Sequence, residues 1–462
     1  MSEAATGGVK IRPRLFKGTR DLLPQDMLPR QRVLDIVRKH AERAGFEPLM
    51  TPSIELLEVL TGKYGQEAQH LIFPLAYKDG QTAALRYDLT VPLSRVVAMY
   101  PNLPRPFKRY QVQPVWRAEK PAKGRYREFV QCDVDTVGTA DMAADAEILA
   151  FTASVLTECG FPRFLMRVNH RKILDGVLDS LQVDPEQRVF VLRTVDKLDK
   201  IGEDGVRKVL ETGGVSGDGG EARAEASGLD ATQAKGVLDA ARLCGRPDEV
   251  APAVERLFGN AARTREGLDE LRELFAVMEA MLVPAACYAF DMSLVRGLDY
   301  YTGPVFETVV PDIKLGSIAG GGRYDGLVGL FSSEDVPATG TTLGLDRIVV
   351  AMQELGILPG ASTSTCILIA VFSPELRLDA FSLTAMLRQC GVAAEASLEA
   401  LTLKKQYSYA NKKGIPYVGL VGPDERDRGV VSVKNLSSGE QTEVPRQDLA
   451  HWIQSRTGEV SG

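Results

Sequence analysis

Long apolar runs are missing from this 462-residue chain. None approaches the roughly 18 residues of a membrane-spanning helix, so no membrane span is expected. The start, MSEAATGGVKIRPRLFKG, lacks an apolar core after its first residues, so no secretory signal is expected. Cysteine is scarce. The six (132, 159, 244, 287, 366 and 390) are scattered, without a CxxC pair and without a histidine at ligand spacing. That excludes a disulfide framework and a structural zinc site, and fits free thiols in a reducing cytoplasm. Excess positive charge is also lacking: the net charge is −6, which argues against coating nucleic acid by bulk attraction and leaves a local site open. No repeat of 20–50 residues is present, so a solenoid is excluded. What remains is an ordinary globular composition, 44% hydrophobic and 25% charged, in a chain too long for one core.

The chain is punctuated by changes of period. QRVLDIVRKHAERAGF carries apolar residues at helical spacing and stops at Gly45. EPLMTPSIE reads as a strand that Pro52 confines to an edge or a terminus. AALRYDLTVPLSRVVAMY passes from strand to helix, with Thr90 and Pro92 as start signals. KRYQVQPVWRAE and YREFVQCDVDTVG alternate on either side of KPAKG, which predicts a hairpin with a long basic loop. Residues 171–283 turn helical and acidic, around a glycine-rich stretch, ETGGVSGDGGEARAEASG, that reads as a mobile loop. Strand texture returns with CYAFDMSLVRGLDYYTGPVFETVV, and ATGTTLGLDRIVVAMQELG reads as a strand feeding a helix. Beyond the Pro/Gly/Ser/Thr linker at 357–365, short strands alternate with helices, predicting a small α/β domain with a largely parallel sheet. The expected organisation is α+β: an antiparallel-sheet domain in two parts (1–170 and 284–356), a helical insertion (171–283), the linker and a C-terminal domain (366–462).

Four stretches could carry chemistry. Between Arg105 and Arg127 eight basic residues stand against one acid, Glu119; they suit a phosphate-bearing partner or a solvated face. Within them Arg117 and Glu119 lie two apart on a strand, so both face one side; Arg117 could hold a phosphate and Glu119 accept from an amino group or orient a neighbouring donor. Arg125 in the loop could reach terminal phosphates, and Phe129 offers a ring to a base. Gln131, Asp133 and Asp135 share one strand face, which is either solvent-facing or paired, because lone buried charges are costly. Gly320–Gly322 fit a close backbone approach to a small ligand or a simple turn, and lack both phosphate-loop spacings. Arg347 in GLDRI sits in a first helical turn, near a flat ring or a phosphate. VRGLDYYTGPVFE, from Val295 to Glu307, places Arg296, Tyr300 and Tyr301 before an apolar run. It reads either as an edge strand with packed rings or as ligand-binding machinery.

Taken together these stretches resemble the class II aminoacyl-tRNA synthetases, and within them the histidyl-tRNA synthetase family. MTPSIE with Pro52 is similar to motif 1, VWRAE…GRYREF to motif 2 and GTTLGLDRI to motif 3. LVRGLDYYTG and AGGGRYDGLV resemble the two histidine-specific signatures, and FKGTRDLLP and LRYDLTVP also match. The resemblance implies a class II catalytic domain and a C-terminal anticodon-binding-like domain. It implies activation of L-histidine by ATP with Mg²⁺, transfer to tRNA(His), a homodimer and a cytoplasmic setting. It assigns Arg296 and Arg117 as catalytic, with Arg296 approaching the α-phosphate. Asp88, Leu89, Thr90, Arg117, Gln131, Asp135, Arg296, Tyr300 and Tyr301 surround histidine: Tyr301 and Asp135 bracket the imidazole, and Asp88, Thr90 and Gln131 receive the ammonium. A neutral imidazole offers one donor and one acceptor, which a phenol and a carboxylate match. By the same carry-over Arg117, Glu119, Arg125, Phe129 and Arg347 hold ATP, with adenine between Phe129 and Arg347. A rival from another class is the synthetase-like regulatory subunit of histidine biosynthesis, which would bind histidine or a partner protein and charge nothing. The C-terminal domain and the presence of Arg117, Arg296 and Arg347 speak against it. For tRNA contacts there, Lys404, Lys405, Lys412 and Lys413 are the candidates.

Overall fold

Strand alternation builds the main body of the molecule. The structure, a computed structural model, describes residues 12–62, 70–76, 82–122, 124–213, 215–216, 223–224, 228–297, 300–358, 363–399 and 401–457. Most of the glycine-rich stretch, residues 359–362 of the linker, Lys123 of the basic loop, and Leu298 and Asp299 lie outside them. The chain divides into two units, 1–20 with 33–358, and 21–32 with 359–462.

In the first unit the strands are β1 (Glu47–Pro48), β2 (Ile54–Leu56), β3 (Phe73–Leu75), β4 (Ala83–Leu85), β5 (Phe107–Trp116), β6 (Glu128–Val137) and β7 (Leu165–His170). They continue with β8 (Val215–Ser216), β9 (Arg223–Ala224), β10 (Cys244–Gly245), β11 (Tyr288–Asp291), β12 (Pro304–Val309), β13 (Ala319–Arg323) and β14 (Ala338–Gly344). Nine of them form one sheet in the order β1-β5-β6-β14-β13-β12-β7-β11-β10. The run from β5 to β7 is antiparallel throughout. The predicted hairpin is present as β5 and β6.

The two faces of this sheet differ in kind. On one, Val134, Met166, Val168, Phe290, Phe306 and Leu343 join a single apolar cluster with Ile148, Leu156, Leu268 and Leu274 from helices Met142–Glu158 and Ala262–Ala280. The second of those helices belongs to the 171–283 region, so that region shares its core with the sheet. On the other face, one register line reads Gln111–Asp133–Thr342–Gly320–Glu307–Arg167. The next reads Arg109–Asp135–Gly340–Gly322–Val305–Asn169. Residues directly opposite one another share a face. Charge and glycine are therefore gathered onto one surface.

Two strand expectations fail here. Arg117 and Glu119 lie beyond the end of β5 at Trp116, because the Ala118 N–H turns to the Leu71 carbonyl (2.8 Å) instead of the returning strand. Arg296, Gly297 and the residues from Tyr300 to Gly303 precede β12 and are not an edge strand. Gly297 turns the chain with φ +57°, and the Tyr300 and Tyr301 N–H groups both donate to its carbonyl at 3.1 and 2.9 Å.

In the second unit β15 (Ile367–Ala370), β16 (Ala394–Ala396), β17 (Tyr417–Leu420), β18 (Val430–Asn435) and β19 (Gln441–Pro445) form a sheet in the order β16-β15-β17-β18-β19. Only β16-β15-β17 is parallel; β18 and β19 run antiparallel, correcting the largely parallel expectation. A short loop joins β18 to β19, and a short loop makes a hairpin.

Candidate active site

A cavity of about 460 Å³ opens on the polar face of the main sheet, a volume suited to a small ligand. Its floor is β6 and β14. Gln131, Asp133 and Asp135 point into it and are 6%, 2% and 3% exposed, so the solvent-facing alternative is excluded. Asp135 is met by the fully buried Arg109 at 2.7 Å and by the Tyr324 hydroxyl, which donates to it. Gly340 makes room for it, since a Cβ there would stand 2.0 Å from the Asp135 Oδ1. The Thr342 hydroxyl donates to the Asp133 Oδ1 at 2.7 Å, and the Gln131 amide donates to the Thr342 hydroxyl at 3.1 Å. Burial pushes the Asp133 carboxyl up to about 7, with Arg109 opposing and Asp135 adding. The Gln131 Oε1 is buried with no hydrogen-bond partner among the described residues. An acceptor left so needs a donor from a ligand.

One wall is the 296–301 turn. The Tyr301 ring lies over Gly297 and Gly322, where added Cβ atoms would meet it at 1.9 and 3.0 Å. Its centroid is 4.2 Å from that of Tyr300. Burial and then Tyr300 raise the Tyr301 hydroxyl well above its ordinary pKa, so it stays a neutral donor. Arg296 reaches the other way, pairing with Glu307 and donating to the Ser317 hydroxyl at 2.8 Å. Glu307 and Gly320 are register partners, so the first glycine of the GGG run lies beside this guanidinium.

The opposite end is cationic. Arg347 donates to the Ser317 carbonyl at 2.6 Å. Its pKa is lowered by desolvation first, then by Arg125 and Arg296. Three guanidiniums facing one space are relieved by an anion, as a polyphosphate would do. Arg117 lies over the Tyr87 and Phe129 rings (4.4 and 5.1 Å) and donates to the Tyr87 carbonyl at 3.2 Å. Asp88 accepts from the Val91 N–H at 3.0 Å and so anchors helix Thr90–Met99, which brings Thr90 to the rim.

Asp88, Thr90, Arg117, Glu119, Arg125, Phe129, Gln131, Asp135, Arg296, Tyr300, Tyr301 and Arg347 thus line one cavity. Leu89 does not; its side chain is wholly buried, and its carbonyl accepts from Arg109 at 3.4 Å. The basic stretch is not one phosphate surface either. Lys108 goes to Glu147 (2.7 Å) and Arg105 to Glu334 (3.3 Å), while Arg109 goes to the floor. Sequence reasoning assigned no role to Arg109, Tyr324, Glu307, Ser317 or Thr342. Tyr324 stands inside AGGGRYDGLV and was legible as a candidate; Arg109 became so only once the β5–β6 register was known.

The comparisons with known proteins agree with this geometry. Residues 18–348 match the family described as histidyl-tRNA synthetase, and residues 366–456 match an anticodon binding domain. A histidine–tRNA ligase of Aeropyrum pernix is 40% identical over 438 residues, covering 94% of this chain and 96% of that protein. One from Gloeobacter violaceus is 39% identical, covering 95% and 98%. The crystal structure of histidyl-tRNA synthetase from Nostoc sp. PCC 7120 superposes with a TM-score of 0.86 at 32% identity, covering 97% of this chain and 100% of that one. A Bacillus halodurans structure, titled as an ATP phosphoribosyltransferase regulatory subunit/histidyl-tRNA synthetase, shares the fold at 23% identity and a TM-score of 0.70. The charged floor, the paired tyrosines and the match across most of its length place this chain in the histidyl-tRNA synthetase family, of class II.

Proposed function

We propose that the cavity activates L-histidine at its Asp135 end and ATP at its Arg347 end. The chain is a histidine–tRNA ligase, using ATP to charge tRNA(His). In the reading we favour, the imidazole sits between Asp135 and Tyr301, one accepting and one donating. Arg109 and Tyr324 hold Asp135 in orientation. The ammonium lies toward Asp88, Thr90 and Gln131, where the orphaned Gln131 Oε1 supplies an acceptor. Adenine uses the Phe129 face that Arg117 leaves open, with Arg347 on its other side. Arg125 and Glu119 hold the triphosphate and the amino edge.

The histidine carboxylate attacks the α-phosphorus, the bond to the β-phosphate oxygen breaks, and pyrophosphate leaves. Arg296 and Arg117 neutralise the charge that builds on the phosphoryl oxygens. The 3′-terminal ribose hydroxyl of the tRNA then attacks the mixed anhydride and releases AMP. The donor set suits Mg²⁺ carried in on the nucleotide: such an ion needs one or two protein carboxylates, and Glu119 borders the triphosphate end. There it would neutralise phosphate charge.

Residues 366–462 read the tRNA, and 171–283 act as a helical insertion. A homodimer is supported by apolar side chains exposed in and near the motif 1 stretch: Met50, Ile54 and Leu56 are 81%, 55% and 42% exposed. No helix among the described residues is long and apolar enough to cross a membrane, and none of the six cysteines is in a disulfide. Both support a cytoplasmic setting. The observation that carries the reading is the meeting of the Asp135–Tyr301 pair with Arg296 in one cavity. Pyrophosphate exchange assayed with each of the twenty amino acids tests it. Exchange with histidine alone is expected; exchange with another amino acid, or with none, overturns it.

A further inference from the structure

Among the described residues, three carboxyl groups gather at the pocket floor around one buried guanidinium. Asp88, Asp133 and Asp135 are 6%, 2% and 3% exposed. The guanidinium of Arg109, wholly buried, stands 2.7 Å from Asp135 and 3.9 Å from Asp133. It is thus committed to Asp135, which Tyr324 also serves. Of the other guanidiniums on the cavity wall, Arg117 and Arg296 are turned to the Tyr87 carbonyl and to Glu307. Beyond that longer contact with Arg109, the hydrogen bonds Asp133 accepts come from neutral groups, the Thr342 hydroxyl at 2.7 Å and the Gln131 amide at 3.4 Å. From β5 it faces Gln111, which is itself bonded to Arg109 at 3.1 Å. On β6 its charged neighbour is Asp135, and Asp88 adds repulsion from the start of helix Thr90–Met99. Tyr324, neutral, completes the surroundings.

We propose that Asp133 carries a proton in the empty site and releases it to solvent when histidine binds. The inference rests on the placement of the ammonium group given above. The incoming cation brings positive charge to these carboxyl groups, and the unpartnered Gln131 Oε1 beside Asp133 marks where its N–H groups arrive. A positive charge within hydrogen-bonding reach lowers a carboxyl by ~1–3 pKa units. Burial has pushed this one up to about 7, so it ionises in the complex at neutral pH. In the step, the carboxyl O–H bond breaks, its electron pair stays on oxygen, and the proton passes to buffer. Nothing else is exchanged. Thr342 and Gln131 suit both states, because a hydroxyl and an amide can each donate or accept. Histidine affinity then rises with pH up to about 7, by at most roughly tenfold per unit for one coupled proton.

Calorimetric titration of the full chain with L-histidine at pH 7, in phosphate and in Tris, counts the protons released. About half a proton per histidine should be present in the wild type and absent in Asp133→Asn, beyond what the substrate's own ring contributes equally to both. Equal counts in the two proteins overturn the proposal. Should Asp133→Asn fail to bind, infrared difference spectra of the wild type decide. Loss of a protonated-carboxyl stretch on adding histidine supports the proposal, and no such loss overturns it. A wild type that binds no histidine at all removes the functional reading and this inference together, whereas binding without proton release removes only the inference.

Discussion

The two sheets of this protein use burial in opposite ways. In the C-terminal sheet both faces are dry: Ile367, Ile369, Val431 and Val433 enter one apolar cluster, and Leu368, Ala370 and Val418 enter another. The main sheet is dry on one face only. Its other face buries Arg109, Asp133 and Asp135 and sets Gly320, Gly322 and Gly340 in the same two register lines. A core of aliphatic side chains gains stability from each residue it covers. A face of paired charges and bare backbone gains little and keeps space open for a ligand. The same change in the two sheets should therefore be read out differently, in substrate handling for one and in stability for the other.

The sharpest break in that comparison is Arg296→Ala. Losing one charge stabiliser of the transition state should slow histidine-dependent pyrophosphate exchange by roughly 10²-fold or more. Histidine binding should survive better than turnover, and near-normal exchange would make Arg296 structural. Next comes a matched pair of glycines. At Gly340 an added methyl meets the Asp135 Oδ1 at 2.0 Å and the Val134 carbonyl at 2.9 Å. Gly340→Ala should raise the KM for histidine roughly 10- to 100-fold with little change for ATP. At Gly419 the methyl meets the Ile369 Cδ1 at 2.9 Å, the end of a side chain that can turn away. Gly419→Ala should cost about 1 kcal/mol in urea unfolding and leave exchange untouched. Equal effects of the two on exchange would erase the distinction between the sheets.

A third test uses pH. Because the folded Asp133 carboxyl is raised to about 7, its contribution to stability is full below the unfolded value and is lost as pH climbs through 7. The melting temperature of the histidine-free wild type should thus fall between pH 6 and pH 8 more than that of Asp133→Asn. Parallel pH profiles would show that Asp133 does not titrate there. The smallest effect is expected on the C-terminal surface. Lys404 and Lys405 are exposed on helix Leu403–Lys413, while Lys413 is tied to Glu395 at 2.7 Å. Lys404→Ala and Lys405→Ala should each flatten the salt dependence of tRNA binding by ~0.7–0.9 in log–log slope if each meets a phosphate. Lys413→Ala should not, and a flattening there would move the contact.

What could be foreseen divides along the range of the interactions. Helix Thr90–Met99, the β5–β6 hairpin and the β14-to-helix step were legible because their signals are local: period, a proline, a glycine. Gln131 and Asp135 were legible as a shared face for the same reason. Arg109 was not, because opposing it to Asp135 needs the hairpin's register, and the long basic loop leaves that undetermined. The strand stops short of Arg117 because the next N–H, that of Ala118, bonds to the Leu71 carbonyl, a partner 47 positions away that no local pattern announces. The mixed C-terminal sheet was missed because a buried strand reads alike in either direction.

The turn at Gly297 has a consequence for accuracy. Arg296 and Tyr301 stand on either side of one tight loop, and the Tyr301 N–H donates to the Gly297 carbonyl at 2.9 Å. The ring rests against that same glycine, where a methyl would come within 1.9 Å of it. In the proposed reading the tyrosine meets the amino acid's ring and the arginine the phosphate, so a substrate that shifts the tyrosine also presses on the glycine next to the arginine. On that reading a wrong amino acid should meet two obstacles in succession, a shorter stay in the pocket and a slower activation once there.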